Sequence, residues 1–242
     1  MVNKFTLYIV STLFVLVSVG FFLGMQSKPL PKYDQFPTYP LTDLSGQTYH
    51  FEKEKIKIIT FFYTNCPDIC PITIGDLKQL YDELEQKSLL EEDVDILTIT
   101  LDPTNDTKDV LTEYSNKFNI PSDGHWYFLR GTDEQIASLT AELGFYREET
   151  AGYWAHSTTI YLLDYENSKR TFHLMSTPNE PLNMEKITKD IMLLKKERKK
   201  GIKPILKNDI ERVKHNEKTI LYYFCSFSCV RDKCRDLLFN GY

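Results

Sequence analysis

Apolar residues are spaced in three different ways along this chain, and each spacing predicts a different kind of element. From Phe5 to Met25 the run FTLYIVSTLFVLVSVGFFLGM contains no charged residue. As a helix rising 1.5 Å per residue it reaches about the 30 Å of a bilayer core. Ile56 to Tyr63, IKIITFFY, is nearly continuously apolar over a strand's length, as expected of a strand covered on both faces. Between Pro71 and Leu90, Ile74, Leu77, Leu80, Tyr81 and Leu84 recur at three and four residues, the stripe of an amphipathic helix.

The alternation of strand and helix then repeats. Val94 to Leu101 reads as a strand, Asp109 to Phe118 as a helix, Trp126 to Leu129 as a strand and Asp133 to Leu143 as a helix. Ser157 to Leu163 and Arg170 to Met175 read as two adjacent strands around the polar turn Tyr165-Glu166-Asn167-Ser168. Upstream, Leu41 to Phe51 suggests a hairpin about Ser45-Gly46. Alternating strands and helices that end in a hairpin predict an α/β fold, a mixed sheet with helices on both faces, and fit a thioredoxin-like domain.

Composition narrows the class. With 242 residues, 42% hydrophobic content and five cysteines, the chain is neither a disordered tract nor a disulfide-dense miniprotein. A mean hydropathy of −0.35 excludes a polytopic membrane protein. Its net charge of −5 argues against nucleic acid as the main partner, because a phosphate-binding surface needs excess Lys and Arg. The charge is unevenly spread: residues 1–194 hold 16 basic and 28 acidic side chains, residues 195–242 hold 13 and 6. Three regions are therefore expected: 1–27 as a membrane helix with a short n-region, 28–194 as the folded domain, and 195–242 as a basic extension.

Lys4 and the amino terminus before the apolar run favour a cytoplasmic N-terminus with the remainder exported, although Lys28 and Lys32 beyond the run weaken that bias. The run is longer than a signal peptide's apolar core and ends in no small-x-small site, so the expectation is an uncleaved anchor, with cleavage as the competing reading. Lys28-Pro29-Leu30-Pro31-Lys32 reads as a short extended linker. The domain is thus expected beside a membrane on its extracytoplasmic side.

Candidate chemistry centres on Cys66-Pro67-Asp68-Ile69-Cys70-Pro71, where the buried strand turns into a helix. Amide donors and the dipole at a helix N-terminus favour thiolates there. Pro67 suits a first helical turn, and a four-residue offset would put both sulfurs on one helical face. Thioredoxin-type redox motifs have two residues between their cysteines and this one has three. Soft thiolates suit copper(I) or zinc, and an added imidazole would complete a three-coordinate copper site. From spacing alone, an ordinary disulfide in an exported domain remains open beside these.

Phe62-Tyr63-Thr64-Asn65-Cys66-Pro67-Asp68-Ile69-Cys70-Pro71 resembles the signature of the Sco/SenC family of membrane-anchored copper proteins. In order after it, Thr100-Leu101-Asp102-Pro103-Thr104-Asn105-Asp106-Thr107 resembles the family's DPxxDT segment, and Trp126-Tyr127-Phe128-Leu129 its WxFL strand. His156-Ser157-Thr158-Thr159-Ile160-Tyr161-Leu162-Leu163-Asp164 resembles its histidine loop and the strand that follows. The likeness covers about residues 35–194. It implies copper as the bound metal, with Cys66, Cys70 and His156 as ligands and Cys66 and Cys70 as a redox-active disulfide pair. It further implies a metallochaperone that assembles the dinuclear copper centre of cytochrome c oxidase subunit II, held to a cell membrane by one helix, or to a mitochondrial inner membrane facing the intermembrane space. The alternative is a membrane-anchored thiol-disulfide oxidoreductase acting on that subunit's cysteines. Ala155 and Lys108 depart from the family, which often has an acidic residue and a proline there; loss of the carboxylate could alter how His156 is oriented.

The remaining candidates are weaker. His50, His125, His173 and His215 have no motif around them, so solvated or packing roles are expected. Tyr153 and Trp154 are expected to wall the site, and Asp68 to act as a helix-start acceptor or partner contact. In the tail, Cys225, Cys229 and Cys234 suggest a disulfide plus a spare thiol, or a poorly ordered extension, more than a second copper site, since no histidine lies close by.

Overall fold

The computed structural model describes residues 12–15, 18, 29–150 and 153–199. The chain divides into two compact units, Met1–Leu194 and Lys195–Tyr242, and of the second only residues 195–199, which are helical, are described. Among the described residues no helix is long and apolar enough to cross a membrane. Most of the span expected at Phe5–Met25, His215 and the three tail cysteines lie outside the described residues.

Strand β1 (Ile56–Phe62) is buried at every position, because it lies in the middle of the main sheet with apolar layers on both sides. It pairs in parallel with β2 (Val94–Thr100) and antiparallel with β6 (Thr159–Leu163). Outside these lie β3 (Trp126–Leu129), parallel to β2, and β7 (Lys169–Leu174), antiparallel to β6, giving the order β3-β2-β1-β6-β7. A second, two-stranded sheet pairs β4 (Arg147–Thr150) with β5 (Tyr153–His156). Lys57, the one charge in β1, is fully buried, with Nζ donating to the carbonyls of Lys53 (2.7 Å) and Lys55 (3.0 Å). Burial lowers its ammonium toward about 8.

Side-chain alternation divides the core into two layers. Ile56, Ile58 and Phe62 join Val94, Ile96, Trp126 and Phe128 under helix α1 (Ile69–Gln86), helix α2 (Lys108–Lys117) and residues 184–194 of helix α4 (residues 184–199). Ile59 and Phe61 face the other way, packing with Leu97, Ile99 and Tyr161 against helix α3 (Asp133–Glu142) and residues of the N-terminal segment such as Phe36 and Leu41. Helices therefore cover both faces, as the pattern predicts.

The helix ends follow their caps. Thr107 starts α2 by accepting from the Val110 amide. A capping box between Thr132 and Gln135 starts α3. Helix α1 stops short of the expected Leu90 because Ser88 adopts a left-handed φ of 52°. Leu89 and Leu90 are buried instead through a separate helical turn, Leu90–Asp93.

Three other elements differ from the sequence pattern. The expected hairpin over 41–51 reduces to the isolated bridge Thr42↔Thr48, because Thr42 also pairs with Arg130 of the sheet edge. Its turn is present, with Gly46 at a φ of 87° and the Asp43 carboxylate accepting from the Ser45 and Gln47 amides. The β4–β5 hairpin has no apolar alternation to announce it. Helix α4 does carry a signal, the 3–4 spacing of Ile187, Ile191 and Leu194, all buried.

Leu77 is fully buried in α1 beneath the sheet. Leu77→Ala should destabilise the domain by about 2–5 kcal/mol, whereas the exposed Gln79→Ala should stay within about 0.5 kcal/mol. Urea unfolding with an unchanged m-value measures both.

Candidate metal centre

The loop between β1 and α1 carries Cys66. Helix α1 begins only at Ile69, so Pro67 precedes the helix and Cys66 sits in a turn closed by its own amide donating to the Tyr63 carbonyl (3.3 Å). The expectation that one helical face presents both sulfurs is thus corrected: the turn brings Cys66 back to Cys70, the second residue of α1. Asp68 stands at the helix start but its side chain makes no capping hydrogen bond, so the acceptor role expected of it is also corrected. It is exposed.

His156 ends β5. Its Nδ1 lies 2.8 Å from the Ser157 carbonyl oxygen. A carbonyl only accepts, so this bond places the proton on Nδ1 and leaves the lone pair on Nε2. Nε2 lies 3.8 Å from Cys70 Sγ. The imidazole is stacked on Phe145 (6.0 Å between centroids, 15° between planes) and meets the Tyr63 ring edge-on at 6.1 Å. A backbone carbonyl and two aromatic rings thus provide the orientation that the family's acidic residue before the histidine is expected to supply.

The two thiols are unlike. Cys70 is fully buried and Cys66 half-buried, and both are free. The hydrogen bond from the Cys70 thiol is the largest cause holding Cys66 down to about 4; a contact with His156 and the backbone amides of Asp68 and Cys70 act the same way, and burial opposes them. The same bond, then burial and the charge on Cys66, pushes the Cys70 thiol up. One proton is therefore held between two sulfurs. Burial, followed by the charge on Cys66, also raises the Tyr63 phenol.

Two soft-metal ligands about 120° apart, with bonds of about 2.3 Å to sulfur and 2.0 Å to nitrogen, stand about 3.7 Å from each other. The Cys70–His156 separation fits one ion between them. Among the described residues no group of three or more His, Cys, Asp or Glu side chains is already set as a metal site. Cys66 accepts the hydrogen bond from the Cys70 thiol and contacts His156, and a three-ligand set would form by exchanging those contacts for an ion.

The other expected residues separate clearly. Trp154 shares the face of His156 and is half-buried under the Arg147 guanidinium, which lies 4.4 Å from its ring. Tyr153 alternates to the opposite face and is exposed, so it does not wall the site. His50 is exposed beside Glu52; His125 lies 3.3 Å from the Lys55 ammonium; His173 is buried 3.3 Å from Asp190, and burial lowers its imidazole to about 4. None of these three reaches the cysteines. Sequence reasoning missed Tyr63, Phe145 and the Ser157 carbonyl. Tyr63 and Ser157 adjoin the motifs and could have been tried as neighbours; only the fold brings in Phe145.

Comparisons with known proteins identify the family and the fold. The SCO1/SenC family model matches residues 28–192. An SCO2-like protein of Rickettsia typhi is 28% identical over 180 residues, 69% of this chain and 85% of the relative. The structure of BsSco, a member of the Sco family of cytochrome c oxidase assembly proteins in which a disulfide switch was identified, has a TM-score of 0.58 at 20% identity, with 70% of this chain and 98% of that one covered. Arabidopsis thaliana ScoI with copper bound has a TM-score of 0.52 at 24% identity, covering 71% and 99%. These two likenesses establish the fold, and the family model, which spans more than half the sequence, establishes descent: the chain belongs to the SCO1/SenC family.

Proposed function

We propose that this protein is a copper metallochaperone whose ligands are Cys66, Cys70 and His156, and that it serves assembly of the dinuclear copper centre of cytochrome c oxidase subunit II. The observation that carries the reading is the aim of His156: its lone pair at Nε2 faces Cys70 across 3.8 Å, with the tautomer fixed by Ser157. A dithiol reductant has no need of an imidazole so held. Two thiolates and an imidazole form a soft donor set suited to copper(I). The copper-bound relative and the oxidase-assembly relative point the same way. Copper is cargo, passed to the acceptor by stepwise ligand exchange, and no substrate turnover is required. The apolar run Phe5–Met25 would hold the domain at the extracytoplasmic side of a membrane.

The second reading, a thiol-disulfide oxidoreductase acting on the same subunit, is favoured by one observation, the unlike state of the two thiols. A low-lying Cys66 thiolate beside a protonated Cys70 is the arrangement of an attacking and a resolving sulfur. Both roles require the reduced pair, so copper loading and redox state are linked.

Copper(I) titration of the reduced chain should show one site. His156→Ala should weaken it by at least roughly tenfold, as expected when even a supporting group is lost, and oxidation of Cys66 and Cys70 should abolish it. A chain ending at Leu194 should keep it. Equal binding by native, His156→Ala and oxidised protein overturns the chaperone reading.

The thiols give a separate pH prediction. A depressed Cys66 leaves its thiolate present above about pH 4. Alkylation at Cys66 should therefore proceed between about pH 5 and 7, where an ordinary thiol is protonated, while Cys70 stays unmodified. Cys70→Ala removes the largest cause and should move the Cys66 profile to higher pH. Mass spectrometry of the alkylated peptides reads both.

A further inference from the structure

Asp106 makes no contact that the metal-site reading uses, yet its carboxylate is almost wholly buried, 1% exposed, in the loop after β2. Thr64 donates its backbone amide to both carboxylate oxygens at 3.2 Å, and its hydroxyl to Oδ1. From the other side the Thr100 hydroxyl donates to Oδ2, while that same hydroxyl oxygen accepts the Asp102 amide at 3.0 Å. The Asp106 amide is in turn tied to the Asp102 carbonyl at 2.8 Å. Four hydrogen-bond contacts, all donated to the carboxylate, leave it acceptor-only, with no solvent to replace a lost one. What it holds is Thr64, two residues before Cys66 and inside the turn that Tyr63 and Cys66 close.

We propose that Asp106 is a positioning residue for the cysteine pair: through Thr64 it fixes the turn that brings the Cys66 sulfur against Cys70. This rests on the reading that Cys66 and Cys70 work as a pair, whether for copper or for electrons. The turn is otherwise weakly held. Asn65, Pro67 and Asp68 are exposed, Asp68 provides no cap, and the closing amide bond is long at 3.3 Å. A buried carboxylate does for this loop what outer-shell partners do for metal ligands, setting geometry without coordinating. It also gives a physical role to the second aspartate of the Asp102–Thr107 segment, which is far from the cysteines in sequence.

The test compares Asp106→Asn, Thr64→Val, Thr64→Ser and the double variant Asp106→Asn with Thr64→Val in the full chain. Asp106→Asn keeps the shape and replaces one acceptor by a donor. Thr64→Val removes the hydroxyl, and Thr64→Ser restores it. The first readout is independent of copper: the equilibrium in which the two thiols and oxidised glutathione exchange for the Cys66–Cys70 disulfide and two reduced glutathiones. The second is copper(I) affinity by competition with a chromophoric chelator. Asp106→Asn and Thr64→Val should each shift both by roughly tenfold, the lower end for outer-shell changes. Thr64→Ser should stay near native, and the double variant should be no worse than the poorer single.

Variants that fold with native thermal transitions and keep both equilibria within about twofold overturn the proposal, as does full additivity in the double variant. If Asp106→Asn does not fold, the Thr64→Val and Thr64→Ser comparison decides alone. If the native chain binds no copper but the disulfide equilibrium still responds, the positioning role stands and the chaperone reading falls.

Discussion

One reversal of chain direction governs where the chemistry lies. β6 runs against β1, with Ile59 opposite Tyr161 and Lys57 opposite Leu163. The start of β6 therefore lies at the pole where β1 and its parallel neighbour β2 end. Three loops converge there: Tyr63–Asp68 after β1, Leu101–Thr107 after β2, and His156–Thr158 before β6. Had β6 entered in parallel, His156 would sit at the opposite pole, where Lys55, Asp95 and His125 cluster. Residues 86 apart in sequence meet at 3.8 Å because strand register leaves them no other place.

Legibility in the sequence follows from how far each signal travels. β1 and α1 were readable because complete burial and one-sided burial write different periods into a short stretch. The β4–β5 hairpin was not: the four residues of β4, Arg147–Thr150, are mostly exposed, so the pairing rests on backbone bonds that any side chain permits. Cys66 and Cys70 announced themselves by spacing, yet their contact is made by a turn and not by a helical face. That distinction depends on whether α1 starts at Pro67 or at Ile69. The supporting contacts of His156 left almost no trace, since one is a main-chain carbonyl and another, Phe145, is an ordinary aromatic after a helix.

The departure at Ala155 leaves His156 oriented by other groups. In β5, Ala155 alternates away from His156 and is exposed, pairing with Glu148. A carboxylate placed there would need to reach around its own strand to meet the imidazole. Ser157, the next residue on the other side, presents its carbonyl directly to Nδ1. Backbone acceptors cannot be removed by substitution, so the tautomer of His156 is protected from sequence drift at position 155.

Asymmetric exposure of the three groups also sets an order for any ion that enters. Cys70 is sealed at the start of α1, while Cys66 and His156 remain half-open to solvent. Incoming soft metal would meet the Cys66 thiolate and the Nε2 lone pair first. The last exchange would be for the Cys70 proton, since the hydrogen bond to Cys66, then burial and the charge on Cys66, make that proton the hardest to remove. Release in the reverse order leaves the buried sulfur protonated again and the exposed pair free for a competing ligand. With the proposed ligand set, Cys66 and His156 could be replaced without opening the core, which would favour transfer over storage.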